Sequence, residues 1–302
     1  MVQLQLQLDW KPNVQFAGIL IAHHLNWYLD HGIELAIVPW RPYLNQVEIL
    51  KQDGNWLVST EDNLLIRGRA MGQPVKAIAT MMQYSGLGWV ALKSSGIRSI
   101  QDFVGKRVGI HGDGETGLRI SLAYSGLKAD QVEIVEVGYD YEDLLRKGEF
   151  DATQCLVMVE PFELAAAGLD LQVMPAYEWG YEVYSQVIGT TDRLIAEEPE
   201  ALQKFLKVTF DGWRYAFANV EDTVQVVIDH YLKESTPDIQ QQMLNALKPL
   251  FEGKLGLEKL GWMEALRWEK SIHYLQSYGL IDQPVTTDEM MTNQFMEKLY
   301  IQ

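Results

Sequence analysis

The sequence contains a single cysteine, Cys155, among its 302 residues. One thiol can form neither an intramolecular disulfide nor a multi-cysteine metal site. Cys155 lies in the apolar run ATQCLVMV at residues 152–159, which is typical of a buried strand. We therefore predict a core thiol at this position and no nucleophile.

Long apolar runs and basic tracts are also missing. No window approaches the roughly 20 consecutive apolar residues that a membrane-spanning helix needs, so we expect a soluble chain without membrane insertion. Acidic residues number 41 against 25 basic ones, which gives a formal net charge of −16. Such a field repels phosphate backbones and anionic lipid, and this argues against nucleic acid or a membrane surface as a partner.

The opening residues, MVQLQLQL, lack the basic start and long apolar run of a secretory signal peptide. Two locations stay open from the sequence. The chain is cytoplasmic, or it is periplasmic or lipid-anchored outside the cytoplasmic membrane after a leader segment has been trimmed.

Strands and helices alternate through the first part of the chain, which predicts an α/β protein with mainly parallel sheets covered by helices. Ser59 and Thr60 are natural caps for the third of these helices, and Gly32 is placed to end the first. The predicted strands are 2–8, 33–38, 56–58 and 75–82, and the helices between them are 16–27, 44–52 and 61–71.

A smaller α/β unit follows, and the C-terminal part is nearly all helix. We predict strands at 107–110, 132–137 and 152–159, and later helices at 201–219, 223–233, 239–251, 257–278 and 288–300, the last after a Thr286-x-x-Glu289 capping box. This order predicts two lobes. Lobe 1 is 1–88 plus 190–302, lobe 2 is an insertion at 89–189, and 89–92 and 184–189 are the crossing strands. Two crossings favour hinge motion that traps a ligand between lobes.

Several segments resemble the NMT1/THI5-like family of thiamine-pyrimidine proteins over roughly residues 6 to 230. These segments are LDWKPN at 8–13, WYLDHGI at 27–33, GQPV at 72–75, GI at 96–97, GKRVG at 105–109 and EPEALQKFL at 198–206. The family includes periplasmic binding proteins for pyrimidine precursors and the fungal suicide pyrimidine synthase. The resemblance implies a two-lobed type II periplasmic-binding-protein fold, extended here by C-terminal helices, with the ligand between the lobes.

The chain departs from the synthase pattern of that family at two points. By alignment it has GYEVY at 180–184 where the synthase has a cysteine-rich iron motif, and Leu64 where the synthase consumes a histidine. Tyr and Glu do not replace thiolates as soft iron ligands, and leucine has no ring nitrogen. We therefore expect a binding protein that is not an enzyme and uses no cofactor.

Candidate ligand residues in the first lobe follow the predicted strands, where an open parallel sheet places its ligands. Trp10 offers a flat face for a heterocycle, or it seals the core. Asn13 could both donate and accept hydrogen bonds. Thr60 could offer its hydroxyl to the ligand, and Glu61 could accept hydrogen bonds from an exocyclic amine. The alternative for each is simple helix capping. Tyr84 could form one wall of the site.

Candidate ligand residues in the second lobe include Glu160, which follows the strand of Cys155 and matches an acidic position that the family resemblance connects with the pyrimidine amine. The alternative for Glu160 is a solvated helix start. Trp179, Tyr181 and Tyr184 form an aromatic patch, with Trp179 and Tyr181 on one face if the segment is extended. Core packing explains some of the three.

The run GDGETG at 112–117 has the spacing G-x-G-x-x-G. Two interpretations stay open: a dinucleotide loop, and a turn in which Gly114, Glu115 and Thr116 offer backbone N–H groups to a carboxylate or phosphate. Asp113 and Glu115 would oppose a doubly charged anion.

The six histidines show no pattern of a metal or hydrolytic site. His23 and His24 are adjacent on a helix and face different directions, while His31, His230 and His273 are isolated.

We therefore predict a monomeric solute-binding protein for a small-molecule ligand, an aminopyrimidine-like planar heterocycle, which it delivers to an ABC transporter permease or a sensor. The alternatives are a pyrimidine-biosynthesis enzyme on the same fold and a nicotinamide-dependent oxidoreductase.

Overall fold

The chain divides into two compact units, each with its own sheet. Unit 1 comprises Met1–Gln83 and Val183–Gln302, and unit 2 comprises Tyr84–Glu182. The description comes from a computed structural model, which describes residues 1–41, 44–111, 114–138 and 141–301.

Strands run through both units. In chain order they are β1 Val2–Gln7, β2 Ile33–Val38, β3 Trp56–Thr60, β4 Val75–Met82, β5 Leu87–Leu92, β6 Arg107–Ile110, β7 Glu133–Glu136, β8 Ala152–Leu156, β9 Leu171–Pro175 and β10 Ser185–Thr191.

Helices make up most of the remaining chain. The α-helices are α1 Ala17–His24, α2 Trp27–Asp30, α3 Gln46–Ile49, α4 Asp62–Ala70, α5 Gly114–Tyr124, α6 Tyr141–Lys147, α7 Glu160–Ala166, α8 Asp192–Glu197, α9 Pro199–Ala218, α10 Val220–His230, α11 Pro237–Glu252, α12 Ala265–Ser277, α13 Thr287–Met290 and α14 Gln294–Tyr300. Short 3₁₀ helices span Val14–Phe16, Lys93–Ser95, Ile100–Phe103, Ala129–Gln131, Ala176–Trp179 and Leu257–Lys259.

The sheet of unit 1 has the order β2-β1-β3-β10-β4. Strand β1 pairs in parallel with β2 and β3, and β10 runs antiparallel to both β3 and β4. Four strands therefore share one direction, and their carboxyl ends meet at one edge of the sheet together with the start of β10.

The sheet of unit 2 has the order β7-β6-β8-β5-β9. Strand β6 is parallel to β7 and β8, while β5 is antiparallel to β8 and β9. Each sheet thus has four strands in one direction and one reversed strand, which agrees with the predicted mainly parallel sheets.

The chain passes from unit 1 to unit 2 after Gln83 and returns after Glu182, whereas the predicted boundaries were at residues 88 and 189. The predicted crossing strands at 89–92 and 184–189 are not connectors. The first lies within β5 of the unit 2 sheet, and residues 185–189 of the second lie within β10 of the unit 1 sheet. Apolar periodicity reveals that a segment is a strand, but the neighbours of that strand depend on contacts distant in sequence.

Four local predictions were wrong. Ser59 and Thr60 do not cap α4, because β3 continues through Thr60 and Glu61 occupies the position before the helix. The helix predicted over 16–27 ends at His24, and Asn26 takes a left-handed conformation with φ of 61° before α2. The helices predicted over 257–278 and 288–300 are each interrupted.

The capping box at Thr286 and Glu289 is present, as predicted. Cys155 is also confirmed as a core thiol, because it is only 1 % exposed and burial raises its pKa well above the usual value.

Helix α9 joins the C-terminal helices to the core of unit 1. It packs against α1 with almost no space between the two backbones. A Cβ atom added to Gly212 would lie only 2.1 Å from the carbonyl oxygen of Gly18. The ring of the fully buried Trp213 covers the Cα of Gly18 in the same way. Only glycine permits this approach, so the helical segment is an integral part of unit 1.

Among the described residues, no helix combines the length and the apolar character needed to cross a lipid bilayer.

Candidate functional site

The carboxyl edge of the unit 1 sheet gathers aromatic and acidic side chains. Trp10 lies beyond the end of β1, Trp40 beyond β2 and Glu61 beyond β3, while Ser185 opens the reversed strand β10. Parallel strands bring their carboxyl ends to the same edge, which explains how residues far apart in sequence become neighbours.

Trp10 contacts Trp40 directly. The ring centroids are 4.6 Å apart with an interplanar angle of 41°, and both indoles are partly exposed. The amide nitrogen Nε2 of the buried Gln7 donates to the carbonyl oxygens of Val38 (3.2 Å) and Pro39 (3.1 Å) and so holds the end of β2 beside Trp40. The result is a two-ring aromatic surface on a fixed backbone.

Trp40 was missed in the sequence. The signal that could have found it is its position, since it follows the second strand as Trp10 follows the first.

Glu61 receives a hydrogen bond from Ser185. The hydroxyl of Ser185 lies 2.5 Å from Oε1 of Glu61, which fixes the orientation of this partly buried carboxylate. Thr60 is fully buried, and its hydroxyl has no hydrogen-bond partner among the described residues. Ser185 was not predicted, because nothing in the sequence shows that β10 inserts next to β3.

Asp9 and Asn13 flank Trp10 in different roles. Burial raises the pKa of Asp9 to about 6, against the opposing effect of the nearby Ser59 hydroxyl. The side-chain oxygen of Asn13 accepts a hydrogen bond from the backbone N–H of Gln15 at 2.6 Å and caps a 3₁₀ helix. Asn13 is 5 % exposed, so its amide oxygen is already used within the fold.

Tyr184 belongs to the hydrophobic core of unit 1. It is completely buried, lies 6.2 Å from the ring of Trp268, and its hydroxyl accepts a hydrogen bond from the backbone N–H of Glu264 at 2.7 Å. The guanidinium of Arg267 lies 3.9 Å from its ring centroid. Tyr184 is therefore a core residue, which is one of the two interpretations that the sequence left open.

Asp62 follows Glu61 at the start of α4 and is completely buried. Its Oδ2 accepts hydrogen bonds from the hydroxyl of Ser271 (2.7 Å) and the backbone N–H of Tyr184 (3.3 Å). Burial raises the pKa of Asp62 to about 6, although these bonds and the charge of Arg267 act in the opposite direction.

Unit 2 carries a second aromatic pair. Tyr84 stacks on Tyr177, with ring centroids 4.9 Å apart and an interplanar angle of 22°. Partial burial raises the pKa of Tyr177, and the charge of Glu178 adds to the effect. Tyr177 was missed, because it follows strand β9, which was not predicted from the sequence.

Glu160 begins α7 and is 7 % exposed, so a solvated helix start does not describe it. Its Oε2 accepts a hydrogen bond from the backbone N–H of Leu156 at 2.6 Å. Burial raises the pKa of Glu160 to about 7, with a smaller contribution from the neighbouring charge of Glu163.

The glycine-rich run is only partly described, because Gly112 and Asp113 lie outside the described residues. Gly114 packs so tightly on the side chain of Gln154 that a Cβ atom would overlap it. Glu115 is exposed and pairs with Arg119 at 2.5 Å, and Thr116 is half-buried. The dinucleotide interpretation depends on Gly112 and stays untested.

Trp179 and Tyr181 do not lie on an extended segment. Trp179 ends a 3₁₀ helix, and Gly180 follows in a left-handed conformation with φ of 86°. Tyr181 is 4 % exposed and lies against Gly117 in α5. Trp179 is partly buried, so Tyr181 packs inside unit 2 while Trp179 lies nearer the surface.

The structure corrects one expectation about the histidines. His230 is not isolated, because its ring centroid lies 4.4 Å from that of His24. His23 faces elsewhere, with Nδ1 3.1 Å from the hydroxyl of Tyr231. Within the described ranges, no group of three or more His, Cys, Asp or Glu side chains could hold a metal ion.

Comparison with known proteins identifies relatives along nearly the whole chain. A model of the family described as NMT1/THI5 like matches residues 13–223, which is more than half of the sequence. Riboflavin-binding protein RibY of Chloroflexus aurantiacus is 24% identical over 306 residues, covering 97% of this chain and 86% of the relative.

Two further relatives have names that refer to pyrimidines. The 4-amino-5-hydroxymethyl-2-methylpyrimidine phosphate synthase of Legionella pneumophila is 24% identical, covering 97% of this chain and 92% of the relative. The formylaminopyrimidine-binding protein of Halalkalibacterium halodurans is 21% identical, covering 96% and 89%.

Among solved structures, the periplasmic aliphatic sulphonate binding protein SsuA from Escherichia coli is similar over 100% of both chains. The TM-score is 0.78 at 14% sequence identity. This likeness shows the fold, and the predicted type II periplasmic-binding-protein fold is confirmed.

Proposed function

Because the chain belongs to the NMT1/THI5-like family, we propose that it is a solute-binding protein that holds one small planar nitrogen heterocycle and releases it chemically unchanged. The observation that carries this proposal is the Trp10–Trp40 pair at the same sheet edge as the Glu61–Ser185 pair. Indole faces bind flat rings, and a carboxylate accepts hydrogen bonds from ring amines.

The first ligand candidate is a thiamine-related aminopyrimidine. The relatives named for formylaminopyrimidine and for riboflavin support a ring with several nitrogens. A flavin is the second candidate, since it also offers a flat ring with an N–H donor. A ring without such a donor would leave the Glu61 carboxylate poorly satisfied on binding, at a cost of about 1–3 kcal/mol.

Unit 2 supplies its own candidates for ligand binding, Tyr84 and Glu160. Tyr84 is half-buried and is supported from behind by Tyr177, so its ring has a fixed orientation. Glu160 is held by Leu156 and has a pKa raised to about 7, so near neutral pH it is available both as a carboxylate and as a neutral acid. A buried acid of this kind suits recognition of an amine or a ring nitrogen.

A pyrimidine synthase is the rival function, because the Legionella relative is named as one. Two features of this chain argue against it. Its single cysteine cannot replace the cysteine-rich iron motif of the fungal pattern. Leu64, at the position matched to the consumed histidine, packs against the hydrophobic core of unit 1.

Delivery of the ligand to an ABC transporter permease, or to a sensor, completes the proposal. We place this step outside the cytoplasmic membrane, with support from the periplasmic name of SsuA. Cell fractionation with an antibody against the chain tests the location. Recovery in the cytoplasmic fraction alone would contradict it.

The ligand is tested by isothermal titration with 4-amino-5-hydroxymethyl-2-methylpyrimidine, formylaminopyrimidine and riboflavin. We expect saturable one-to-one binding of at least one of them. After denaturation of the complex, mass spectrometry should recover that ligand intact in a one-to-one amount. Conversion of the pyrimidine into a product would favour the rival enzyme.

A further inference from the structure

Arg267 contacts both points at which the chain passes between its two units. The chain leaves unit 1 after Gln83 and returns to it at Val183. One nitrogen of the Arg267 guanidinium donates to the carbonyl oxygen of Gln83 and also to that of Val183, the latter at 3.3 Å. The other terminal nitrogen lies 3.4 Å from the side-chain oxygen of Gln83.

Helix α12 and Glu264, the residue before it, also hold the segment that returns to unit 1 at Val183. The guanidinium of Arg267 lies over the ring of Tyr184, and the Tyr184 hydroxyl accepts from the backbone N–H of Glu264. The backbone N–H of Tyr184 donates to Asp62, which also accepts from Ser271 of α12. Tyr184 is therefore fixed through its ring, its hydroxyl and its backbone.

The segment that leaves unit 1 after Gln83 is also held by the C-terminal part of the chain. The backbone N–H of Gln83 donates to the carbonyl oxygen of Leu250 at 2.8 Å. Its side-chain Nε2 donates to the carbonyl oxygen of Trp262, also at 2.8 Å. Both crossing segments thus depend on the C-terminal part of the chain, and Arg267 touches both of them.

We propose that Arg267 is a positioning residue that fixes the two crossing points of the chain and, through Tyr184 and the adjacent Ser185, the orientation of the ligand-binding Glu61. The planar guanidinium suits this task, because it carries several donors in a rigid fork and stacks on an aromatic ring at the same time. The part that concerns ligand affinity rests on the proposed function, whereas the part that concerns the crossing points does not.

The crossing points are tested without ligand by hydrogen exchange of the backbone amides of Gln83, Tyr184 and Glu264. Arg267→Met removes the donors and keeps a long side chain, and Arg267→Lys keeps the charge without the fork. Arg214→Met is the matched control, because Arg214 also lies over a tyrosine ring, that of Tyr300, and donates to its hydroxyl.

We expect both Arg267 variants to exchange these three amides about tenfold faster, which is the size of effect that loss of charged hydrogen bonds produces. The Arg214 control should leave them unchanged. Unchanged exchange in the Arg267 variants would overturn the proposal. Uniformly faster exchange over the whole chain would also overturn it, since that result describes general stability. If Arg267→Met does not fold, the exchange rates of the same three amides in Arg267→Lys test the proposal in its place.

The effect of Arg267 on ligand affinity is measured with whichever of the three heterocycles binds the wild type. Arg267→Met should weaken that ligand at least about tenfold relative to Arg214→Met, because Glu61 loses its fixed orientation. Equal affinities would overturn the link to the ligand. If the wild type binds none of the heterocycles, the proposed function fails while the exchange experiment still decides the role of Arg267.

Discussion

Trp10 and Trp40 form a contact pair at the carboxyl edge of the unit 1 sheet, with ring centroids 4.6 Å apart. Each indole follows one of two neighbouring parallel strands, and Gln7 fixes the backbone beside Trp40. Trp40 therefore supports Trp10 and limits the orientations that its ring can take. A ring held in this way loses little entropy when a flat ligand stacks on it.

Replacement of Trp10 by alanine should weaken heterocycle binding by about tenfold or more, because stacking on an aromatic side chain contributes about 1–3 kcal/mol. Trp40→Ala should weaken it less, since Trp40 acts by supporting Trp10. Fluorescence titration measures both. Trp27→Ala is the control, because Trp27 packs edge-on against Tyr215 at another part of unit 1. Equal affinity in the Trp10 and Trp27 variants would remove Trp10 from the site.

The charge of Glu61 should select amine-bearing ligands. Glu61→Gln keeps an oxygen that can accept from Ser185 but loses the negative charge, so we expect about tenfold weaker binding of an aminopyrimidine. Binding of riboflavin should change less. Glu197→Gln, which alters a surface carboxylate paired with Arg193, is the control and should change neither affinity. A parallel loss for both ligands would show that charge does not govern selection.

Glu160 should make the stability of the protein depend on pH. Burial raises its pKa from 4.5 to about 7, so between these values the folded state binds more protons than the unfolded state. The stabilisation is complete below pH 4.5 and is lost as the pH rises through 7. Relative to Glu160→Gln, the wild type should therefore lose on the order of 3 kcal/mol of unfolding free energy between pH 4.5 and 8.

Urea unfolding of both proteins at pH 4.5, 6 and 8 measures this difference. Glu142→Gln serves as the control, because Glu142 is exposed and ion-paired with Arg146. The difference between wild type and Glu160→Gln should change by on the order of 3 kcal/mol from pH 4.5 to 8, well beyond any change measured for Glu142→Gln. A constant difference for Glu160 would show that its carboxyl titrates normally.

The Cys155 thiol should not react with a disulfide reagent in the folded protein. It is buried and its pKa is raised, so little thiolate is present or accessible near pH 8. One thiol per chain should react once urea unfolds the protein. Tyr124→Cys provides the positive control, since position 124 is 68 % exposed. Rapid reaction of native Cys155 would contradict its place in the core.

Local pattern was sufficient to predict most strands of this fold. The alternation of leucines and glutamines in β1 and the apolar run containing Cys155 are signals that a single segment carries by itself. The capping box at Thr286 is equally local. The family resemblance supplied the fold class, which the likeness to SsuA confirms.

Properties that depend on distant contacts were not predictable in the same way. Ser59 and Thr60 have the residue types of helix caps, yet β10 pairs with this part of β3 and extends the strand. The same insertion brings Ser185 to Glu61. Trp40 and Tyr177 were missed for a different reason: Trp40 follows a predicted strand whose end was not searched, and Tyr177 follows β9, which was not predicted.

The most direct test of the central claim is titration of the wild type and of Trp10→Ala with the best-binding heterocycle, followed by mass spectrometry of the recovered ligand. Saturable one-to-one binding, at least about tenfold weaker in the variant, with the ligand returned intact, is the predicted result. Equal binding by both proteins, or a chemically altered pyrimidine, would contradict the claim that this chain captures a planar ring without transforming it.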